Sequence, residues 1–135
     1  MGNRAVITLD KRIGIYLHWN GGRDSVEAFL KYCELKGHRT DSYGLARLAQ
    51  VIGNFFGGTT SIGVGKCDNL DMDNYDNGTY VVENWKIVRR LFFEGQEQDE
   101  YNLLEMIKGI DEKQPEKEQL FKDKSELTME DLETK

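Results

Sequence analysis

The segment Cys67-Asp68-Asn69-Leu70-Asp71-Met72-Asp73-Asn74-Tyr75-Asp76-Asn77-Gly78 holds four Asp and three Asn in twelve residues, a density of oxygen ligands that first suggests a calcium loop. Oxygens at positions 69, 71 and 73 match the first three ligand positions of an EF-hand. The match ends there. Counted from Asn69, the sixth position is Asn74, where glycine is needed for the sharp turn. The twelfth is Tyr80, where a bidentate glutamate should close the site. A polar loop built on Asx turns, in which side-chain oxygens take up the chain's own N–H groups, accounts for the same composition.

Soft metal ligands amount to two cysteines, Cys33 and Cys67, and two histidines, His18 and His38. Together they are enough for tetrahedral zinc, and Asp71 offers a carboxylate a few residues beyond Cys67. No C-x-x-C or closely spaced histidine pair is present, so the spacing gives zinc little support. Cys33 reads equally well as a small apolar side chain on a helix, and His18 beside Trp19 as a structural histidine. Neither cysteine lies in a recognised nucleophile pattern, and neither histidine has a base partner close in sequence. Gly21-Gly22-Arg23-Asp24-Ser25 precedes a helix whose free N–H groups could meet an anion, but Asp24 would occupy those donors and repel phosphate. An enzyme is therefore not expected.

The elements that must position these residues can be read from pattern. Arg4 to Thr8 and Ile13 to His18 are β-branched runs joined by Leu9-Asp10-Lys11-Arg12, the chemistry of an antiparallel hairpin. Ile13, Ile15 and Leu17 share one face and Gly14, Tyr16 and His18 the other, which predicts a core on one side only. Asp24 with Glu27 forms a capping-box pattern, and Val26, Phe29, Leu30 and Cys33 continue a helix that Gly37 ends. A second helix is expected from Ser42 as cap, with Leu45, Leu48, Ala49, Ile52 and Phe56 as its buried stripe, closed by Gly57-Gly58. Thr59 to Gly65 reads as a third strand, and Tyr80 to Val82 and Ile87 to Phe93 as two more around Glu83-Asn84-Trp85. Asp99 is the expected cap of a last helix carrying Leu103, Leu104, Ile107 and Ile110. The sum is an α+β fold: a mainly antiparallel sheet of about five strands with two to three helices packed on one face. Residues 1–110 form the expected domain, and 111–135, rich in alternating charge around Pro115, a disordered or loosely helical tail.

The chain has 135 residues and a net charge of −6, room for one compact domain. The charge is uneven. Residues 1–67 carry nine bases and five acids, 68–110 four bases and ten acids, and 111–135 five bases and nine acids. An acidic second half is the wrong balance for neutralising phosphates, so direct nucleic-acid binding is not expected, whereas a basic protein partner is compatible with it. No apolar run approaches the roughly 20 residues of a membrane helix, and the N-terminal residues lack a secretory h-region, so a cytoplasmic location is expected.

Three strings carry a resemblance: Met1 to Thr8, Gly14-Ile15-Tyr16-Leu17-His18-Trp19-Asn20-Gly21-Gly22-Arg23-Asp24-Ser25, and Gln50-Val51-Ile52-Gly53-Asn54-Phe55-Phe56-Gly57-Gly58. The chain resembles, from Met1 to about Ile110, small proteins of phages and integrated elements of Gram-positive bacteria, similar to anti-CRISPR inhibitors of type II RNA-guided nucleases. The resemblance implies stoichiometric docking on the basic channel that holds the guide–target heteroduplex, in competition with DNA loading. It directs attention to Asp68, Asp71, Asp73, Asp76 and Glu83, a run without an intervening base, as the partner-binding residues. It also strengthens the case for zinc. Asp71 and Ala49 stand where relatives are expected to carry cysteine, which leaves His18, Cys33, Cys67 and Asp71 as the ligand set. The alternative reading is a small zinc-binding regulator or metal-dependent hydrolase of a mobile element.

Overall fold

The computed structural model describes residues 3–57, 61–121 and 128–132. Among the described residues the chain forms the expected α+β fold of three α-helices and a five-stranded sheet. The elements are β1 (Ala5–Thr8), β2 (Ile13–Leu17), α1 (Arg23–Leu35), α2 (Ser42–Phe56), β3 (Ile62–Lys66), β4 (Thr79–Glu83), β5 (Lys86–Leu91) and α3 (Leu103–Glu112). The strands lie in the order β3-β2-β1-β4-β5, antiparallel except for the central β1–β4 pair. No helix among the described residues is long and apolar enough to cross a membrane.

Turn chemistry explains both hairpins. After β1, the Asp10 carboxylate accepts from Arg12 N at 2.8 Å and Ile13 N at 2.9 Å, and Lys11 takes a left-handed φ of 68°. Between β4 and β5, Asn84 and Trp85 both have positive φ, the pair of left-handed residues a two-residue hairpin turn demands. Tryptophan resists that conformation by roughly 1–2 kcal/mol. Burying the indole, on the order of 200 Å² at about 25 cal/mol per Å², outweighs the strain. Trp85 is buried, and its Nε1 donates to His38 O at 3.0 Å.

The helices differ from expectation at their starts. Gly22, not Asp24, precedes α1, and the Asp24 carboxylate instead accepts from its neighbour Ser25 N. Asp41 rather than Ser42 caps α2, accepting from Tyr43 N and Gly44 N, because its side chain sits one residue before the first helical turn. Asn102 rather than Asp99 caps α3, accepting from Glu105 N at 3.0 Å. The helix end at Gly37 and the left-handed Gly57 that closes α2 are as read; the residues 58–60 expected to finish that helix and begin β3 lie outside the described residues. Val26, Phe29, Leu30 and Cys33 of α1, Leu45, Leu48 and Ile52 of α2, and Ile107 and Ile110 of α3 bury themselves with Ala5, Ile7, Ile15, Leu17, Tyr80 and Val82 of the sheet.

The core is not one-sided. Val6, Thr8, Gly14, Thr79 and Val81 point away from the helices, yet all are buried. The cause is the connection from β3 to β4. Because β3 lies at one edge and β4 beyond β1, residues 67–78 must cross β2 and β1, and they do so over the face opposite the helices. The Asp/Asn segment, read from sequence as a polar loop, is thus a crossover between β3 and β4.

The boundary read at residue 110 falls inside α3. Asp111 is fully buried, its carboxylate accepting from Tyr32 Oη at 2.5 Å, Leu120 N at 2.7 Å and Phe121 N at 3.1 Å. That carboxylate ties the segment up to Phe121 to α1, and Leu132, in a short 3-10 turn over Met129–Leu132, is buried in the helix-side core. Charge alternation alone gave no sign of an acid used internally. The remainder of the expected tail, 122–127 and 133–135, lies outside the described residues.

Candidate functional site

The crossover is held by its own polar side chains. Asn74, fully buried, donates through Nδ2 to Asp71 O and Gly78 O, and its Oδ1 accepts from Asp76 N, Asn77 N and Gly78 N. Arg4, at the start of β1, reaches in from outside the segment: its Nε donates to Asp76 at 2.8 Å and its backbone N to the same oxygen at 3.0 Å. This bond from Arg4 holds the Asp76 carboxyl below the usual carboxylate range. Asn77 N donates to Arg4 O, Val6 N to Gly78 O, and the Thr79 hydroxyl to Met72 O. Gly78 has φ of 65°, and a Cβ there would overlap the carbonyl oxygens of Leu91 and Phe92, so glycine lets the end of the crossover close on the end of β5.

That closure creates a hollow of roughly 710 Å³ lined by Asp73, Tyr75, Asp76, Phe92, Phe93, Glu94 and Gly95. Tyr75 is 88% exposed and Phe92 56%, and both sit at left-handed φ, 63° and 57°. A bulky residue there costs about 1–2 kcal/mol. Unlike Trp85, Tyr75 gains almost no burial to offset it. Phe93 has a further partner: the Arg90 guanidinium is sandwiched between the Tyr80 ring at 3.9 Å and the Phe93 ring at 3.8 Å. Arg90 also donates to Asn77 O at 2.8 Å and bonds to Glu97, joining β5 to the crossover and to the segment after it.

The five acids expected to bind a partner are divided by this geometry. Asp68, Asp71 and Asp73 are exposed along the crossover. Asp76 is turned toward Arg4, only 17% of its side chain exposed against 52% for Asp71, which lies 3.7 Å from the same arginine. Glu83 ends β4, paired across the hairpin with Lys86, a strand's length from Thr79 where the crossover arrives. The run is free of bases in sequence but not in space, because Arg4 stands inside it.

The proposed zinc ligands are not brought together. Cys33 lies in the core between helices and sheet, where burial pushes its thiol up to about 12 and keeps it protonated. Cys67 packs on the opposite face of the sheet, where a Cβ at Gly14 would lie 3.1 Å from its Sγ. His18 is four residues further along that strand, about 13 Å at 3.3 Å per residue. Its Nδ1 is 3.0 Å from Tyr16 Oη. Among the described residues no three His, Cys, Asp or Glu side chains gather at one point.

The residues that sequence reasoning missed are Arg4, Asn74, Tyr75 and Phe92. A single aromatic in a run of Asp and Asn was the available signal for Tyr75; Phe92 was absorbed into the expected strand, which ends at Leu91. Fold and site together define an α+β domain whose second sheet face is roofed by a braced acidic loop with an aromatic rim. No protein-family model, curated protein or solved structure matches the chain.

Proposed function

We propose that this chain is a non-catalytic docking protein that offers the acidic crossover loop to a basic surface, and that its partner is a type II RNA-guided nuclease whose DNA loading it blocks. The observation that carries the docking reading is the bracing of the loop. Asn74, Asp76 and Gly78 are taken up internally, so that Asp68, Asp71 and Asp73 are displayed on a frame that does not have to be ordered on binding. Preorganised display lowers the entropic cost of association, and like-signed charge on one face speeds encounter with an opposite potential. The choice of nuclease rests on the resemblance of the N-terminal and helical strings; the basic heteroduplex channel is a surface of opposite sign to the loop.

The experiment is a titration of the purified protein against a guide-loaded type II nuclease, scored by binding and by target-DNA cleavage. Wild type should bind and inhibit at stoichiometric amounts. Asp68→Lys combined with Asp71→Asn should weaken binding by about tenfold or more at low salt, with the difference shrinking as salt rises. An unchanged thermal melt establishes that the loop is intact. Absence of binding to a panel of such nucleases refutes the partner, and an undiminished affinity in the double variant refutes the loop as the docking face.

A further inference from the structure

Resting on the reading of the chain as a docking protein, we propose that the hollow between the crossover and the end of β5 receives an arginine side chain of the partner. The lining has two components. Tyr75 and Phe92 present largely exposed rings, and Phe93 lies between this hollow and the internal Arg90. Around them stand the carboxylates of Asp73, Asp76 and Glu94. Of these, Asp76 is already engaged by Arg4, which leaves Asp73 and Glu94, both exposed, facing the hollow.

Aromatic faces bordered by carboxylates favour a guanidinium over other side chains. It is planar, so it stacks on a ring, and its N–H groups remain free at its edge to meet oxygens. The molecule contains a worked instance next door. Arg90 lies between Tyr80 and Phe93, with Glu97 and the Asn77 carbonyl at its edge. The hollow repeats that composition, and among the described residues its lining holds carboxylates and rings without a cationic side chain. A lysine ammonium would gain the charge attraction but not the stacking, and an acidic or purely apolar segment would meet repulsion or leave the carboxylates unpaired. Charge complementarity therefore selects a cationic occupant, and ring geometry selects arginine.

The test uses the full chain, labelled for amide NMR, and a blocked glycine-spaced peptide containing two arginines, with lysine and citrulline versions as comparison. The arginine peptide should shift the amides of Tyr75, Phe92, Phe93 and Glu94. The lysine peptide should bind several-fold more weakly, and the uncharged citrulline peptide should leave those amides unmoved. Tyr75→Asn, which suits the left-handed backbone and therefore does not endanger folding, should weaken the arginine peptide by about three- to fivefold. Asp68→Lys with Asp71→Asn, outside the hollow, should matter less than Tyr75→Asn. Equal shifts by all three peptides, shifts elsewhere on the surface, or indifference to Tyr75→Asn would overturn the assignment. If the nuclease is bound and inhibited equally by wild type and by Tyr75→Asn with Phe92→Asn, the hollow is refuted while the docking reading stands. If no nuclease binds but the arginine peptide still occupies the hollow, the partner is refuted and the hollow stands.

Discussion

Asn74→Ala removes the side chain around which the crossover is built, and its cost can be worked bond by bond. The amide donates to Asp71 O and Gly78 O, both at 3.0 Å, and accepts from Asp76 N and Asn77 N at 3.1 Å and from Gly78 N at 2.9 Å. Gly78 N is buried and would be left without a partner, roughly 2 kcal/mol. Gly78 O keeps its bond from Val6 N and Asn77 N its bond to Arg4 O, and Asp71 O and Asp76 N are partly exposed, so water can replace the amide there. At about 0.5 kcal/mol for each of those four, the total is about 4 kcal/mol, a large share of a typical domain's 5–15. Urea unfolding followed by circular dichroism should show that loss, and amide exchange at Asp76, Asn77 and Gly78 should accelerate. Asn74→Asp sharpens the test. If the side chain merely accepted N–H groups, as in a simple Asx turn, aspartate would serve as well. Because the two donor contacts meet carbonyl oxygens in a fully buried site, aspartate should instead be at least as damaging as alanine at neutral pH and recover on acidification. A loss below about 1 kcal/mol for alanine, or wild-type stability for aspartate at pH 7, would refute the reasoning.

Gly78→Ala forces a Cβ into the carbonyl oxygens of Leu91 and Phe92 at a positive φ, so it should destabilise by more than about 2 kcal/mol in urea unfolding and displace the amide signals of Phe92 and Phe93; a near-neutral change would mean that the two segments are not in contact. Arg90→Lys keeps the charge but loses the plane held between Tyr80 and Phe93, and should cost about 1–2 kcal/mol, with full stability in the variant counting against the stacking. Asp76 and Asp10 both titrate below their ordinary value of 3.8, Asp76 through the bond from Arg4 and Asp10 through the backbone N–H of Ile13. A depressed folded-state value means that the unfolded chain binds more protons, so this stabilisation is complete well above pH 4 and is lost as pH falls through the folded values. The stability difference between wild type and Asp76→Asn should therefore be largest near pH 6 and shrink below pH 4; a pH-independent difference would sever the link to Arg4.

The helix side of the molecule was legible because it obeys two periods. Val26, Phe29, Leu30 and Cys33 repeat at helical spacing, and Ile13, Ile15 and Leu17 alternate, so each announces the face it buries. Caps were harder to read: Asp24, Ser42 and Asp99 all have capping side chains, and the choice of Gly22, Asp41 and Asn102 depends on where the preceding chain enters. The second sheet face was invisible for a different reason. Gly14, Tyr16 and His18 look like a solvent face, and only the strand order, which brings β4 beside β1, sends residues 67–78 across it. Likewise topology separates two of the suggested zinc ligands, since nothing in the spacing of Cys33 and Cys67 says that a sheet lies between them.

The crossover separates two tasks within one short segment. Asn74, Asp76 and Gly78 point into the molecule, toward backbone N–H groups, Arg4 and the end of β5, and their identities are fixed by contacts that a one-atom change would break. Asp68, Asp71, Asp73 and Tyr75 point outward. Charge can then change on the display positions without unfolding the frame, which is the property a recognition surface needs. Arg4 belongs to the frame for the same reason: left unopposed, Asp71, Asp73 and Asp76 would repel one another across the loop. A single guanidinium at the start of the central strand bonds the inward-facing Asp76 at 2.8 Å and stands 3.7 Å from Asp71, so it offsets part of the loop's charge while Asp68 and Asp73 carry the outward negative potential.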